Sequence, residues 1–358
     1  MTYLQTPIKL QLEISSMCNA LCPGCARTDY KNFNQKHPII PDKKILSLDI
    51  IRKFLKEFTT VYELDFCGTV DDPFMHPHFN EILEIALENG IRKVYIHTNG
   101  GVHNPDYWKR TAEILQKFPA HHLKFSVDGL EDTNHLYRQN TKWDKIMSNA
   151  QAFIDAGGNA GWQYIIFPWN EHQVDEAREL SKQMGFNNFI ERIDRSLISH
   201  MNVGLDKIQE IKKLNHKSTV ETQMVDIDFL YNKFKPLEDN PIECFFQKEQ
   251  MYFVDFNARL WPCCFVRNTE FGGKNTHWQQ VQHNMFKVYN SLDWNRLDLY
   301  TVEEIINHPF YKKDLTQSFE AKYGLGKGKK LMKCAHSCCT KSQEARPIAK
   351  FKIANHNE

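Results

Sequence analysis

The sequence predicts an α/β fold built around a parallel sheet, on three observations. Short β-like runs alternate six times with helical patterns between residue 8 and about residue 195, and alternation of this kind buries a sheet beneath crossover helices. Glycines stand just past the last apolar position of those helices. Cysteine, glycine and polar residues gather where the strands end.

Taken in order, Ile8 to Ile14 reads as the first strand, followed by Tyr62 to Phe66, Val94 to Thr98, Leu123 to Val127, Trp162 to Phe167 and Phe189 to Ile193. Phe79, Ile82, Leu83, Ala86 and Leu87 share one helix face, and Trp143, Ile146, Met147, Ala150 and Ile154 share another, which is amphipathic helical spacing. Gly90, Gly157 and Gly185 close helices, where a left-handed cap suits a residue without Cβ. Six strand-then-helix units with right-handed crossovers are two short of a closed eight-stranded barrel, so a partial barrel and an open doubly wound sheet both fit.

In parallel α/β folds, functional residues sit on loops leaving the C-terminal ends of strands. Here those loops carry Cys18 to Cys25, then CGTVDDP (67–73), TNGG (98–101) and Asp128-Gly129. From about residue 215 the alternation fades into an irregular stretch with three cysteine-bearing segments, so the chain divides into residues 1–215 and a smaller unit, 216–358. Within the latter, YGLGKGKK (323–330) reads as a flexible basic loop.

The 41% hydrophobic residues supply a core, and 45 Lys and Arg against 44 Asp and Glu leave no strong field to steer the chain to nucleic acid or an anionic membrane. MTYLQTPIKLQLEISS lacks the pattern of a signal peptide, and no stretch reaches the roughly 20 apolar residues of a membrane span. The expectation is a cytoplasmic protein.

Ten cysteines fall at 18, 22 and 25, at 67, at 244, 263 and 264, and at 334, 338 and 339. In a reducing compartment such clusters are better explained by metal than by disulfides. Cys67 stands apart and reads as a small buried hydrophobe. Cys18-Asn-Ala-Leu-Cys22-Pro-Gly-Cys25 offers three thiolates on one loop. Structural zinc usually takes four ligands, whereas a [4Fe-4S] cube held at three corners keeps one iron open to a substrate.

The C-x3-C-x2-C segment after the first strand resembles the radical SAM enzymes. That resemblance implies a partial (β/α)6 TIM barrel with a smaller C-terminal auxiliary-cluster domain. It also implies a [4Fe-4S] cluster on Cys18, Cys22 and Cys25 whose open iron binds S-adenosylmethionine. Reduction by an external one-electron donor, such as a flavodoxin or ferredoxin, then yields a 5'-deoxyadenosyl radical that abstracts hydrogen from a substrate. Gly24 stands where the family usually has an aromatic or other large residue.

On the same resemblance, Gly68-Thr-Val-Asp71-Asp72-Pro73 matches the family's glycine-rich segment, with Asp71 where glycine is common, and Thr98-Asn99-Gly100 matches the end of the third strand. Ser126-Val-Asp128-Gly129 and Arg138 match a Ser-x-Asp-Gly segment with its downstream arginine, a partner for the methionyl carboxylate. Gln163 and Asn170 are further cofactor-binding candidates.

Cys244, a β-like pair turning near Asn257 and the following Pro262-Cys263 resemble the twitch or SPASM extensions of that family, with Ala258 where glycine is usual. Cys244, Cys263, Cys334 and Cys338 are the expected ligands of one auxiliary [4Fe-4S] cluster, with Cys264 and Cys339 as rivals. A four-thiolate zinc knuckle is the alternative there. The layout implies a peptide or a small polar metabolite as substrate; peptide modifiers of this family often carry an extra N-terminal recognition domain, and a first strand within the first ten residues weakens the leader-peptide reading without excluding it. A non-catalytic iron-sulfur or zinc module and a nucleic-acid-modifying radical SAM enzyme are the contrasting readings.

Overall fold

The computed structural model describes residues 3–4, 6–29, 32–193, 241–272, 276–338 and 353–355. Its strands are β1 (Lys9–Leu12), β2 (Thr28–Asp29), β3 (Asn32–Lys36), β4 (Glu63–Phe66), β5 (Lys93–Thr98), β6 (Ala120–Ser126), β7 (Ala160–Ile166), β8 (Asn188–Ile193), β9 (Met251–Val254), β10 (Leu260–Trp261) and β11 (Ile353–Asn355). The main helices are α1 (Leu48–Glu57), α2 (Phe79–Glu88), α3 (Pro105–Leu115), the short α4 (Asn134–Tyr137), α5 (Trp143–Asp155) and α6 (Val174–Gln183).

Local chemistry sets the helix ends. Ser47 accepts from the Ile50 amide at the start of α1, and Asn104 accepts from Tyr107 before Pro105 opens α3, satisfying amides that lack an intrahelical partner. Gly90, Gly157 and Gly185 have φ of +79°, +85° and +87°, as their cap positions require. The apolar faces read from the sequence are the buried ones: Phe79, Ile82, Leu83 and Ala86 on α2, and Ile146 and Ala150 on α5.

One nine-stranded sheet runs β10-β9-β1-β4-β5-β6-β7-β8-β11. From β1 through β8 every pairing is parallel and each strand lies beside the one before it in the barrel series. A doubly wound sheet reverses strand order at a switch point, and the six strands β1, β4, β5, β6, β7 and β8 run in one direction without one, so the partial barrel is the fold. Alternation along the strands then separates two faces. Leu10, Leu64, Phe66, Val94, Ile96, Leu123, Phe125 and Trp162 are fully buried in the apolar core. The intervening Asp65, Tyr95, His97, His122, Lys124 and Gln163 are only partly buried and form the inner, polar face.

Two features differ from the sequence expectation. Residues beyond 216 do not form an irregular appendage alone, because Met251–Val254 pairs in parallel with β1 and Leu260–Trp261 folds back on it. An outer β1 edge would leave backbone groups unpaired, and the buried run Met-Tyr-Phe-Val covers it. Ala258 turns this hairpin at φ +59°. Residues 323–330 are also anchored rather than loose: Tyr323 bridges Lys330, which is buried, and Asn284 bonds Gly324, Gly326 and Lys329 backbone.

Candidate active site

The loop after β1 carries Cys18, Cys22 and Cys25 to the C-terminal rim of the sheet, where they pack around Ala20, Tyr137, Phe167 and Trp169. Each sulfur meets a donor or acceptor from a different element. Asn99 Nδ2 stands 3.8 Å from Cys18 Sγ, Arg138 Nη1 3.6 Å from Cys22 Sγ, and Cys25 Sγ lies 3.8 Å from the Thr69 carbonyl and 3.4 Å from the Arg27 amide. Burial pushes all three thiols up, Cys22 to about 11 against the opposing pull of Arg138, so metal binding here must displace protons.

These residues fit a cluster better than a zinc ion. Among the described residues, the only trio of His, Cys, Asp or Glu ligand atoms within 4.8 Å of one another is Asp65, Cys67 and His97. The Cys18, Cys22 and Cys25 sulfurs are therefore spread wider than the ~3.8 Å edge of a zinc tetrahedron with bonds of about 2.3 Å.

The segment after β4 is shaped by carboxylates. Glu13 Oε2 accepts from the Thr69 amide, the Thr69 hydroxyl and the Val70 amide at 2.7, 2.5 and 3.0 Å. Asp71 turns back onto β1 and accepts from the Ile14 and Ser15 amides, and a Cβ on Gly68 would stand 1.6 Å from its Oδ1. Glycine is thus needed at 68 because an aspartate occupies 71. Asp72 caps Pro73–Met75 and accepts from Thr98 Oγ1, the Asn99 amide and Asn99 Nδ2. Asn99 also bonds Asn19 inside the cysteine loop at 2.8 Å.

Asp128 is fully buried. Its Oδ2 accepts from Arg138 Nε at 2.6 Å and its Oδ1 from the Ile165 amide at 2.6 Å, so one oxygen holds the arginine that faces Cys22 while the other pins β7. Gly129 takes φ +145°, where a Cβ would strike Thr133 Oγ1 at 2.2 Å. Ser126, the last residue of β6, sits opposite Gln163 in the middle of β7. Asn170 is fully buried and spends its side chain on the Asp128 and Ile165 carbonyls and the Phe167 amide; it braces the β7 loop from behind. Of the cofactor-binding candidates, Gly68, Asp71, Asp72, Asn99, Ser126, Asp128, Arg138 and Gln163 come together on the rim. Glu13, Asn19 and Arg27 were not singled out from sequence. An acid, an amide and an arginine flanking a cysteine loop were the available signal.

A second cysteine group lies on the far side of β9 and β10. Cys244, Cys263, Cys334 and Cys338 line one cavity with Tyr3 and Phe319. Tyr3 Oη lies 3.5 Å from Cys244 Sγ and donates to the Pro262 carbonyl at 2.9 Å. A hydrogen bond from Cys338 draws the Cys244 thiol down to about 6, while burial keeps Cys263 and Cys334 high. Cys264 is absent from that cavity's walls and instead acts on Cys67, Glu13 and Asp65 toward the barrel. Cys339 lies outside the described residues.

Cys67 is not packed in the apolar core as the sequence suggested. The strand alternation puts it on the polar inner face with Asp65 and His97. Burial raises the Asp65 carboxyl to about 7 and drops the His97 imidazole to about 3, with Lys124 and Arg192 adding to the latter shift. The folded state therefore keeps the Asp65 proton in a range where the unfolded chain, at about 3.9, has released it. Stability from this residue is present below about pH 4 and is lost as pH rises toward about 7. Urea denaturation across that window is expected to show a shallower decline for Asp65→Asn than for the parent chain.

The rim of thiols, the glycine-rich turn and the inner polar face define a class, and comparison with known proteins identifies it. Residues 12–181 match the family model of the Radical SAM superfamily. Among curated proteins, the chain is 25% identical over 245 residues to GTP 3',8-cyclase of Vibrio atlanticus, covering 66% of this chain and 66% of that relative, just under two thirds of its length. Among solved structures, Streptococcus suis SuiB bound to precursor peptide SuiA matches with a TM-score of 0.53 and 14% identity over 89% of this chain and 68% of that one. The structure of anSMEcpe with bound AdoMet matches with 0.51 and 14% over 87% and 81%. At such identities these structures share the fold. Among the described residues, no helix is long and apolar enough to cross a membrane.

Proposed function

We propose that this enzyme holds a [4Fe-4S] cluster on Cys18, Cys22 and Cys25, binds S-adenosylmethionine on the surrounding rim, and carries an auxiliary [4Fe-4S] cluster on Cys244, Cys263, Cys334 and Cys338. When bound, the first cluster supplies one electron to S-adenosylmethionine, and the resulting 5'-deoxyadenosyl radical removes hydrogen from a substrate. The observation that carries the reading is the convergence of three thiols, with Asn99 and Arg138 aimed at two of them, on one rim. The chain's own residues orient and exclude. Asp128 fixes the guanidinium that faces Cys22, Asp72 fixes Asn99, and Phe167 and Trp169, stacked at 4.6 Å, keep water from the loop.

For the second site, the four thiols lining one cavity support the assignment, with residues 1–215 as the catalytic core and 216–358 as the auxiliary unit. The substrate is a peptide undergoing modification, a reading supported by the likeness to SuiB, whose structure holds a precursor peptide. A small polar metabolite is the second reading, favoured by the sequence match to a GTP 3',8-cyclase. A flavodoxin or ferredoxin supplies the electron, and the cytoplasm is the setting in which free thiols, nine among the described residues, persist.

Anaerobic reconstitution tests both clusters. About eight irons per chain are expected for two cubes, and joint replacement of Cys244, Cys263, Cys334 and Cys338 by alanine should leave about four. Bound zinc at that cavity, with iron unchanged in the variant, would overturn the auxiliary assignment.

A further inference from the structure

The inner face of the half-barrel brings together three side chains of metal-ligand type that neither cysteine group uses. Asp65 lies on β4, Cys67 just beyond its end, and His97 on β5. Phe66 is in register with Ile96, so Cys67 and His97, one residue further along each chain, stand side by side on the opposite face. A carboxylate oxygen, a sulfur and an imidazole nitrogen thereby lie within 4.8 Å of one another. At the centre of a triangle with edges of 4.8 Å, an ion is about 2.8 Å from each corner, so bonds of about 2.0–2.3 Å need each donor to close in by less than about 1 Å.

The surroundings favour an ion here. Asp65 Oδ1 is buried and meets no hydrogen-bond partner among the described residues, which is costly unless a ligand answers it. Gln11, beside Asp65 in register on β1, donates to the Cys67 carbonyl at 2.6 Å and so holds the strand end that presents the thiol. His97 is neutral, because burial drops its imidazole to about 3, and the neutral ring is the form that binds metal.

We propose that Asp65, Cys67 and His97 bind one zinc ion in the barrel lumen, leaving its fourth position to an oxygen donor of the substrate. Mg²⁺ and Ca²⁺ take oxygen ligands, whereas a thiolate, an imidazole and a carboxylate suit zinc. Three protein ligands with one open position are the pattern of catalytic zinc, which polarises a carbonyl or phosphoryl oxygen. Cys67 adjoins Gly68 of the rim turn, so the ion would sit just beneath the rim. Its meaning in catalysis rests on the radical SAM reading; the binding rests on side-chain placement alone.

Charge does not oppose loading. Lys124 and Arg192 act on both His97 and Cys67, and Asp71 acts on Cys67 in the opposite sense. Burial holds the Asp65 carboxyl at about 7 and pushes the Cys67 thiol up, so both groups carry a proton up to about neutral pH. Zinc replaces those two protons, one from oxygen and one from sulfur, and they leave to solvent. The net charge that Lys124 and Arg192 face is therefore the same before and after.

The test titrates zinc into the anaerobically reconstituted full chain, whose two cysteine groups already carry iron, and measures the zinc retained per chain after excess is removed. About one zinc is expected, with X-ray absorption showing one sulfur at about 2.3 Å and nitrogen or oxygen ligands at about 2.0–2.2 Å. Cys67→Ala, His97→Ala and Asp65→Asn should each weaken zinc by at least about tenfold. Asp65→Asn keeps the side-chain volume, and unchanged iron content and circular dichroism show that it folds. Joint replacement of Cys244, Cys263, Cys334 and Cys338 by alanine should leave this zinc in place. No zinc on the parent chain, zinc with four sulfur ligands only, or binding undiminished in all three variants overturns the proposal. Failure of the radical SAM reading would show separately, as no 5'-deoxyadenosine release by the reduced parent enzyme while zinc still binds.

Discussion

Joint replacement of Cys18, Cys22 and Cys25 by alanine is expected to remove about four irons per chain and to abolish 5'-deoxyadenosine release. The three sulfurs share one loop at this rim, and each is met by a group from another element. The loop sits beyond the end of β1, outside the main apolar core, so far-UV circular dichroism should be little changed. Cys67→Ala is the control and should keep its iron, since Cys67 faces the lumen with Asp65 and His97. Unchanged iron and unchanged cofactor cleavage in the triple variant would remove the basis of the assignment.

Arg267→Ala is expected to destabilise the fold by about 3–5 kcal/mol, the cost of stranding a buried charge by removing its partner. Arg267 is fully buried, 2.8 Å from Glu13 Oε1 and 3.6 Å from Asp255 Oδ2, with its guanidinium 4.1 Å from the Phe271 ring centroid. Glu13 orders Thr69 and Val70 at the rim, while Asp255 accepts from Trp261 and from two amides of the β9–β10 turn. The arginine follows Cys263 by four residues. One ion network therefore ties the rim to the segment bearing the auxiliary cysteines. Urea denaturation measures the loss. A midpoint within error of the parent would show that the two carboxylates are neutralised in some other way.

The barrel elements were legible because their signals are local. Six apolar runs and the caps at Gly90, Gly157 and Gly185 depend on period and on positive φ, which a chain carries in its own residues. The cysteine loop was legible for the same reason, since its three thiols are seven residues apart at most. The rest depended on long-range pairing. Met251–Val254 reads as a short apolar run that fits several environments, and only its register with Lys9–Leu12 makes it a sheet strand. Cys67 looked apolar because it precedes a glycine turn; its face is shared with Asp65, two residues earlier, and with His97 on the neighbouring β5.

The sequence by itself determined the parallel α/β class and the placing of the thiol loop and glycine-rich turns at strand ends, because periodicity, capping and ligand spacing act within a few residues of one another. Tertiary structure alone chose the partial barrel over the doubly wound sheet, through an order from β1 to β8 without reversal. It also sent Cys263 to one cavity and Cys264 toward the other, and set Arg267 between Glu13 and Asp255. Those outcomes join residues as far apart as Glu13 and Arg267, and only burial of the intervening sheet decides which side chains share the same few ångströms.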